Sequence, residues 1–146
     1  MRMRNVVFGV ALAALSSTAT VAGDGDDLVG QGETQLKAGQ IEEAIATLQQ
    51  AVAADPGSSL AYTRLGGAQI LHQEYDGGIE SFKRAIALDG KNADAFVGMA
   101  VAYLHTSRYA LARAALEEAK AIDPEKQAKV DELIAWIDER TMKEAQ

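Results

Sequence analysis

One spacing constrains this chain more than any other property. The pairs Asp55-Pro56, Asp89-Gly90 and Asp123-Pro124 recur at intervals of 34 residues. In the same register stand Ala51, Ala85 and Ala119, then Leu48, Phe82 and Leu116, then Leu28, Tyr62, Phe96 and Val130. Small residues make two further columns, Gly32/Gly66/Ala100 and Ala44/Gly78/Ala112. A fixed period of this length, closing each time on a turn, calls for one supersecondary unit stacked on copies of itself. Inside each unit the apolar positions fall at helical spacing: Ala44, Leu48 and Ala51 are i, i+4 and i+7, and Gly78, Phe82 and Ala85 repeat them. The unit is therefore a pair of helices, with small residues permitting close approach and large ones filling the space between neighbouring pairs. The presence of 13 Gly but only 2 Pro, with Ala in nearly every apolar stretch, agrees with an all-α chain.

The pattern predicts helices over 26–38, 41–54, 59–72, 75–88, 93–106, 109–122 and 125–143. Ser58 and Asn92 are placed to cap the helices that follow them, and Asp24, Asp26 and Asp27 to cap the first. Asp123-Pro124-Glu125 offers an N-cap, a proline at the first helical position and an acid in the first turn. The closing helix carries Val130, Leu133, Ile134 and Ile137 as an apolar stripe, with Trp136 beside it, and covers the end of the stack. Its other face holds Glu125/Lys129 and Glu139/Lys143 at i,i+4 spacing.

Taken together, these columns resemble the tetratricopeptide repeat, and the fullest single match is Tyr62, Leu65-Gly66, Phe82, Ala85 and Leu88-Asp89. The resemblance runs from residue 25 to about 124. It implies an all-α, right-handed solenoid of three helical hairpins, 25–58, 59–92 and 93–126 within a repeat region 23–124, and a C-terminal capping helix in 125–146. Departures from the pattern are expected to matter. Gln35 and Gln69 occupy the column where Tyr103 keeps the tyrosine, so packing there should be looser. Gly77-Gly78 weakens the start of its helix by about 1 kcal/mol per glycine relative to alanine, so that helix is expected to fray first. Arg113 and Lys120 replace apolar residues in the third repeat and are expected to meet Asp131 or Glu132 of the last helix.

Ahead of the repeats, Met1-Arg2-Met3-Arg4 leads into an apolar run from Val6 to Leu15 and a small-residue stretch ending at Ala22. This order reads as a secretory leader, residues 1–22, cleaved after Ala22. A run of about ten apolar residues falls short of the ~20 that span a bilayer. The expectation is thus export, to the periplasm, of a chain with no transmembrane segment after cleavage; retention as an anchor helix is the alternative.

Chemistry is constrained mostly by exclusion. The net charge of −7, with no basic block longer than Lys83-Arg84, argues against a nucleic-acid partner. The absence of cysteine removes disulfides, thiolate nucleophiles and zinc-thiolate sites. His72 and His105 end corresponding helices of repeats two and three. They read either as a metal or proton site assisted by Glu74 or Asp76, or as helix-end histidines favourably placed on the dipole; without H-x-x-x-H spacing no metal is expected. Glu42-Glu43 and Glu117-Glu118 read as solvated faces. No G-x-S-x-G elbow or phosphate-cradling glycine loop occurs, so neither an enzyme nor a cofactor is expected.

What the resemblance implies about binding lies on the first helix of each repeat. The groove-facing positions are Asp26, Val29, Glu33, Leu36 and Lys37, then Leu60, Thr63, Gly67, Ile70 and Leu71, then Asp94, Val97, Val101, Leu104 and His105. Leu36, Ile70 and Leu104 serve equally well as packing between helices. The candidate partner-binding set is therefore Val29, Glu33, Thr63, Gly67, Leu71, Val97, Val101 and His105. Members of the family that grip a C-terminal carboxylate use Lys, Arg and Asn at these positions, which disfavours such a clamp here. A mainly apolar trough suits an amphipathic helix or apolar peptide segment. The expectation is a non-enzymatic adaptor for a protein or peptide partner. The alternative is a self-associating scaffold of the cell envelope, a homo-oligomer built through the same groove or the array end.

Overall fold

Each helical hairpin is closed by the same backbone device. At the turn inside each repeat one residue adopts a left-handed conformation: Gly39 (φ 77°), Gln73 (φ 65°) and Ser107 (φ 56°), again 34 apart. The following amide reaches back over the helix end, from Gln40 to the Gln35 carbonyl (2.9 Å), Glu74 to Gln69 (2.8 Å) and Arg108 to Tyr103 (2.8 Å). This satisfies the last carbonyls of the helix and reverses the chain. Only the first repeat meets the left-handed position with glycine, the residue that bears no steric penalty there.

The turns between repeats use side chains instead. Asp55, Asp89 and Asp123 each accept a hydrogen bond on Oδ1 from the amide two residues on, at 3.0, 3.0 and 3.1 Å. Such an Asx turn needs no amide from the residue between, which is why Pro56, Gly90 and Pro124 are all tolerated. Ser58 and Asn92 then cap the next helices, accepting from the Ala61 and Ala95 amides at 3.1 and 2.9 Å, as the sequence predicts.

These signals yield the fold, described for residues 22–146 in a computed structural model. The elements are α1 (Ala22–Lys37), α2 (Ile41–Ala54), α3 (Ser59–Leu71), α4 (Tyr75–Leu88), α5 (Ala93–His105), α6 (Tyr109–Ile122), a 3₁₀ turn (Pro124–Lys126) and α7 (Gln127–Glu144). No strand occurs among the described residues. The expected leader lies outside them apart from Ala22. Two helix starts differ from expectation, and the ends of α1, α3, α5 and α7 by one residue each. Because α1 already begins at Ala22, Asp24 lies in its first turn, where it favours the helix dipole, and Asp26 and Asp27 lie further inside, so none of the three caps the helix. Pro124 opens a 3₁₀ turn rather than α7 itself, with Asp123 as its N-cap.

The helices pack as three hairpins, α1–α2, α3–α4 and α5–α6, in a solenoid that α7 closes. The core is built from large residues on each second helix pressed onto glycine or alanine on the first helices. Leu48 fills the space beside Gly32, where an added Cβ would stand 2.6 Å from its Cγ. Phe82 lies between Gly66 of its own repeat, 3.0 Å from a Cβ built there, and Gly98 of the next. Leu116 is fully buried among Ala100, Ala112 and Ala115 and meets Val130, Ile134 and Ile137 of α7. Gly78 serves the same purpose inside the second hairpin, where a side chain would meet Ile70 and the Gly66 carbonyl at about 3 Å.

The glutamine column behaves in two ways. Gln35 Oε1 is buried without a hydrogen-bond partner among the described residues, whereas Gln69 accepts from the buried Ser81 hydroxyl at 2.6 Å. Lys120 pairs with Asp131 at 2.5 Å as expected, and Lys143 with Glu139 at 2.6 Å. Arg113 instead reaches Asp138, about two helical turns beyond the acids expected to meet it. Glu125/Lys129 is replaced by Lys126, which pairs with Asp94 at 2.8 Å and with Asp123 at 3.4 Å.

Two predictions follow from this geometry. Gln73→Gly and Ser107→Gly relieve a left-handed side-chain residue and should each raise stability by up to ~1 kcal/mol in denaturant unfolding. Gly98→Ala should lower it by about 1 kcal/mol or more despite alanine's better helix propensity, because the trapped Phe82 ring has no space to yield.

Candidate functional site

The first helices of the repeats form one continuous row, since α1 packs on α3 and α3 on α5. The row does not continue to α7. A cavity of about 370 Å³ separates α5 from α7, with Val97, Val130 and Leu133 as its apolar lining and Asp94, Glu125, Lys126 and Lys129 around them.

A size change accompanies the gap. Ala68 and Ala102 are fully buried where α3 and α5 settle onto the preceding hairpin. Thirty-four residues after Ala102 the chain places Trp136. Its indole remains 46% exposed, edge-on to Tyr109 at 6.2 Å and with the Arg140 guanidinium 5.9 Å from its ring centre. So bulky a residue cannot seat as Ala68 and Ala102 do, and α7 does not pack on α5.

The expected groove residues divide into three groups. Val97 lines the cleft, Val101 lies one helical turn along α5 and is half-buried, and Leu71 is 58% exposed. Gly67 faces open space, for a Cβ built there meets nothing within 4 Å. It is a helix-interior glycine whose cost of about 1 kcal/mol no neighbour offsets. Glu33 and His105 lie in the row but are engaged. Glu33 pairs with Arg64, tying α1 to α3, and His105 stacks on Tyr75 with ring centres 4.7 Å apart and planes 8° from parallel.

Val29 and Thr63 are corrections. Val29 is 5% exposed and belongs to the core with Ile45, Leu48 and Leu65, so it presents no surface to a partner. Thr63 is buried, donates to the Ser59 carbonyl at 2.8 Å and accepts from Asn92 Nδ2 at 2.9 Å. The same Asn92 amide donates to Ser59 Oγ at 2.8 Å, so one side chain joins the start of α3 to the start of α5. Val29 and Thr63 stand in one column with Val97, and what separates them is the following hairpin, which covers the first with Leu65 and the second with Asn92. Leu36, Ile70 and Leu104 pack against the core clusters as partly buried residues.

In the row Glu33 and Asp94 have cationic partners, and on α7 so do Asp131, Asp138 and Glu139. Asp94 raises the Lys126 ammonium above its ordinary value, chiefly by accepting its hydrogen bond, and Lys120 holds the Asp131 carboxyl low in the same way. Among the described residues no group of three or more His, Asp or Glu is placed to hold a metal ion, and no helix is long and apolar enough to cross a membrane. Asp76 pairs with Arg108 and not with a histidine. Glu42, expected on a solvated face, lies 3.3 Å from His72.

A hairpin solenoid with a row of first helices and an apolar cleft defines a class of repeat scaffold, and the comparisons identify the class. Two family profiles of the tetratricopeptide repeat match, over residues 29–93 and 69–137, without a gap between them. The chain belongs to the tetratricopeptide repeat family. No curated protein matches it. Among solved structures it is similar to the first such domain of Spaghetti (RPAP3) bound to an HSP90 peptide, with TM-score 0.79 and 18% identity over 82% of this chain and 94% of that one. It is similar to the Yersinia enterocolitica type III secretion chaperone SycD in complex with a peptide of the translocator YopD, with TM-score 0.74 and 21% identity over 80% and 93%. MamA protein gives TM-score 0.74 and 28% identity, and there the match spans 80% of this chain but 63% of MamA.

Core and groove are separable by experiment. Val29→Arg should destabilise the fold by about 3 kcal/mol or more, since it buries an unpaired charge. Val101→Arg should leave the midpoint of thermal unfolding nearly unchanged, because the guanidinium can extend into solvent.

Proposed function

We propose that this protein is a non-enzymatic, exported adaptor that holds an apolar or amphipathic peptide segment of a partner protein along α1, α3 and α5, with one apolar side chain anchored in the cleft between α5 and α7. The cleft carries the reading. It places Val97, one of the groove positions expected from sequence, against Val130 and Leu133 in a cavity large enough for a bulky aliphatic or aromatic side chain. The half-exposed Leu60 and Leu71 on α3 extend the apolar surface away from it, and Gly67 leaves room for a backbone to come close. That similar folds in RPAP3 and SycD hold peptides supports the same use here. Export rests on the leader-like sequence of residues 1–22, and a periplasmic site of action follows from it.

Self-association through the same face is the second reading, favoured by the exposure of Leu60 and Leu71. One set of measurements separates the two. Light scattering coupled to size exclusion on residues 23–146 should show a monomer for both the parent and Val101→Arg. A designed amphipathic helix with leucine anchors should then perturb the fluorescence of Trp136, the single tryptophan. Val97→Asp should lose that response by at least tenfold in affinity. Because the anchors are apolar and Glu33 and Asp94 are already paired, the affinity should change little with salt. An oligomer that Val101→Arg dissolves establishes the scaffold instead, and folded monomers that hold no such peptide remove the adaptor reading.

A further inference from the structure

Neighbouring hairpins are tied at the same place twice, by different chemistry. At the second junction Arg108, in the α5–α6 turn, donates through Nη2 to Asp76 in the first turn of α4 at 3.0 Å. Thirty-four residues earlier these two positions hold Glu74 and Glu42. Two carboxylates repel where the later junction has an ion pair, and His72 stands between them. Its Nδ1 is 2.9 Å from Glu74 Oε1 and its Nε2 is 3.3 Å from Glu42 Oε1. A neutral imidazole carries one N–H and one lone pair, so either tautomer points a lone pair at a carboxylate oxygen. Only the imidazolium donates to both.

We propose that the first junction is a pH-sensitive joint: protonated His72 bridges Glu42 of the first hairpin to Glu74 of the second, and loss of its proton leaves the first hairpin held by the Glu33–Arg64 pair and the apolar core, about which its angle can change. The second junction stays fixed, because a guanidinium does not titrate in this range. The inference is independent of what the groove holds. The charged groups facing the ring are Glu42 from α2 and Glu74 from the entry to α4. Together they raise its pKa from 6.5, the Glu74 hydrogen bond most, with partial burial opposing them. A group whose folded value is raised contributes stability that is complete below its unfolded value. The tie is therefore intact below 6.5 and is lost as pH rises through the higher folded value. The first hairpin carries α1, so release alters the angle between α1 and α3 and with it one end of the binding row.

The test is a histidine NMR titration of the full chain between about pH 5 and pH 8, with His105→Gln separating the two signals. His72 should titrate above 6.5, and Glu42→Gln and Glu74→Gln should each lower its midpoint. The absence of cysteine allows paired spin labels at the exposed, equivalent positions Gln50 of α2 and Arg84 of α4. Their distance distribution should shift or broaden as pH rises through the His72 midpoint and stay constant in His72→Arg, which copies the permanent tie of the second junction. A His72 midpoint at or below 6.5, or a label distance in the parent chain that ignores pH, overturns the proposal.

Discussion

The contact on which everything else depends is the seating of a large side chain against a residue that has almost none. Leu48 on Gly32, and Phe82 between Gly66 and Gly98, set how near two helix axes come, and so set the pitch of the stack. The ring of Phe82 touches two consecutive first helices at once, so it couples spacing within a repeat to spacing between repeats. Leu116 meets alanine instead and passes its contact on to α7 through Val130 and Ile137. Cooperativity in such an array travels through these interfaces, since each hairpin touches only its neighbours.

How much of this was legible beforehand differs between fold and site for a physical reason. Columns 34 residues apart are short-range information repeated, and repetition lets a helix, its cap and its turn be read three times over. The boundaries of α2, α4 and α6 and the caps at Ser58 and Asn92 emerge as expected. The left-handed column was invisible because only Gly39 declares it; Gln73 and Ser107 adopt the conformation under compulsion from the packed hairpin. Arg113 meets Asp138 because α7 runs antiparallel to α6, so that seven residues back from Lys120 corresponds to seven residues on from its partner Asp131.

The candidate site is legible in the sequence only as a set of helix positions. The family resemblance selects Val97, Val101 and Leu71, which are half-buried or exposed, and equally selects Val29 and Thr63, which the following hairpin buries. Nothing local marks the cleft. It lies between α5 and α7, where Trp136, four helices on from Ala68 in the same column, meets Tyr109 of α6 instead of seating as the alanines do. The sequence signal was available in the column Ala68/Ala102/Trp136, which becomes informative once those alanines are seen to be contact points. The tie at His72 was similarly present in the column pairing Glu42 with Asp76 and Glu74 with Arg108.

The column of small residues has one further member. Continuing from Gly32, Gly66 and Ala100 by the same interval reaches Ile134, which is buried in the last core cluster. In each earlier repeat that position is the socket for the following helix, and here the socket is already filled by the chain's own side chain. The array is thus punctuated by volume rather than by a change of backbone. Modular extension would have to begin by emptying two positions, Ile134 and Trp136, before any grafted hairpin found a place to dock.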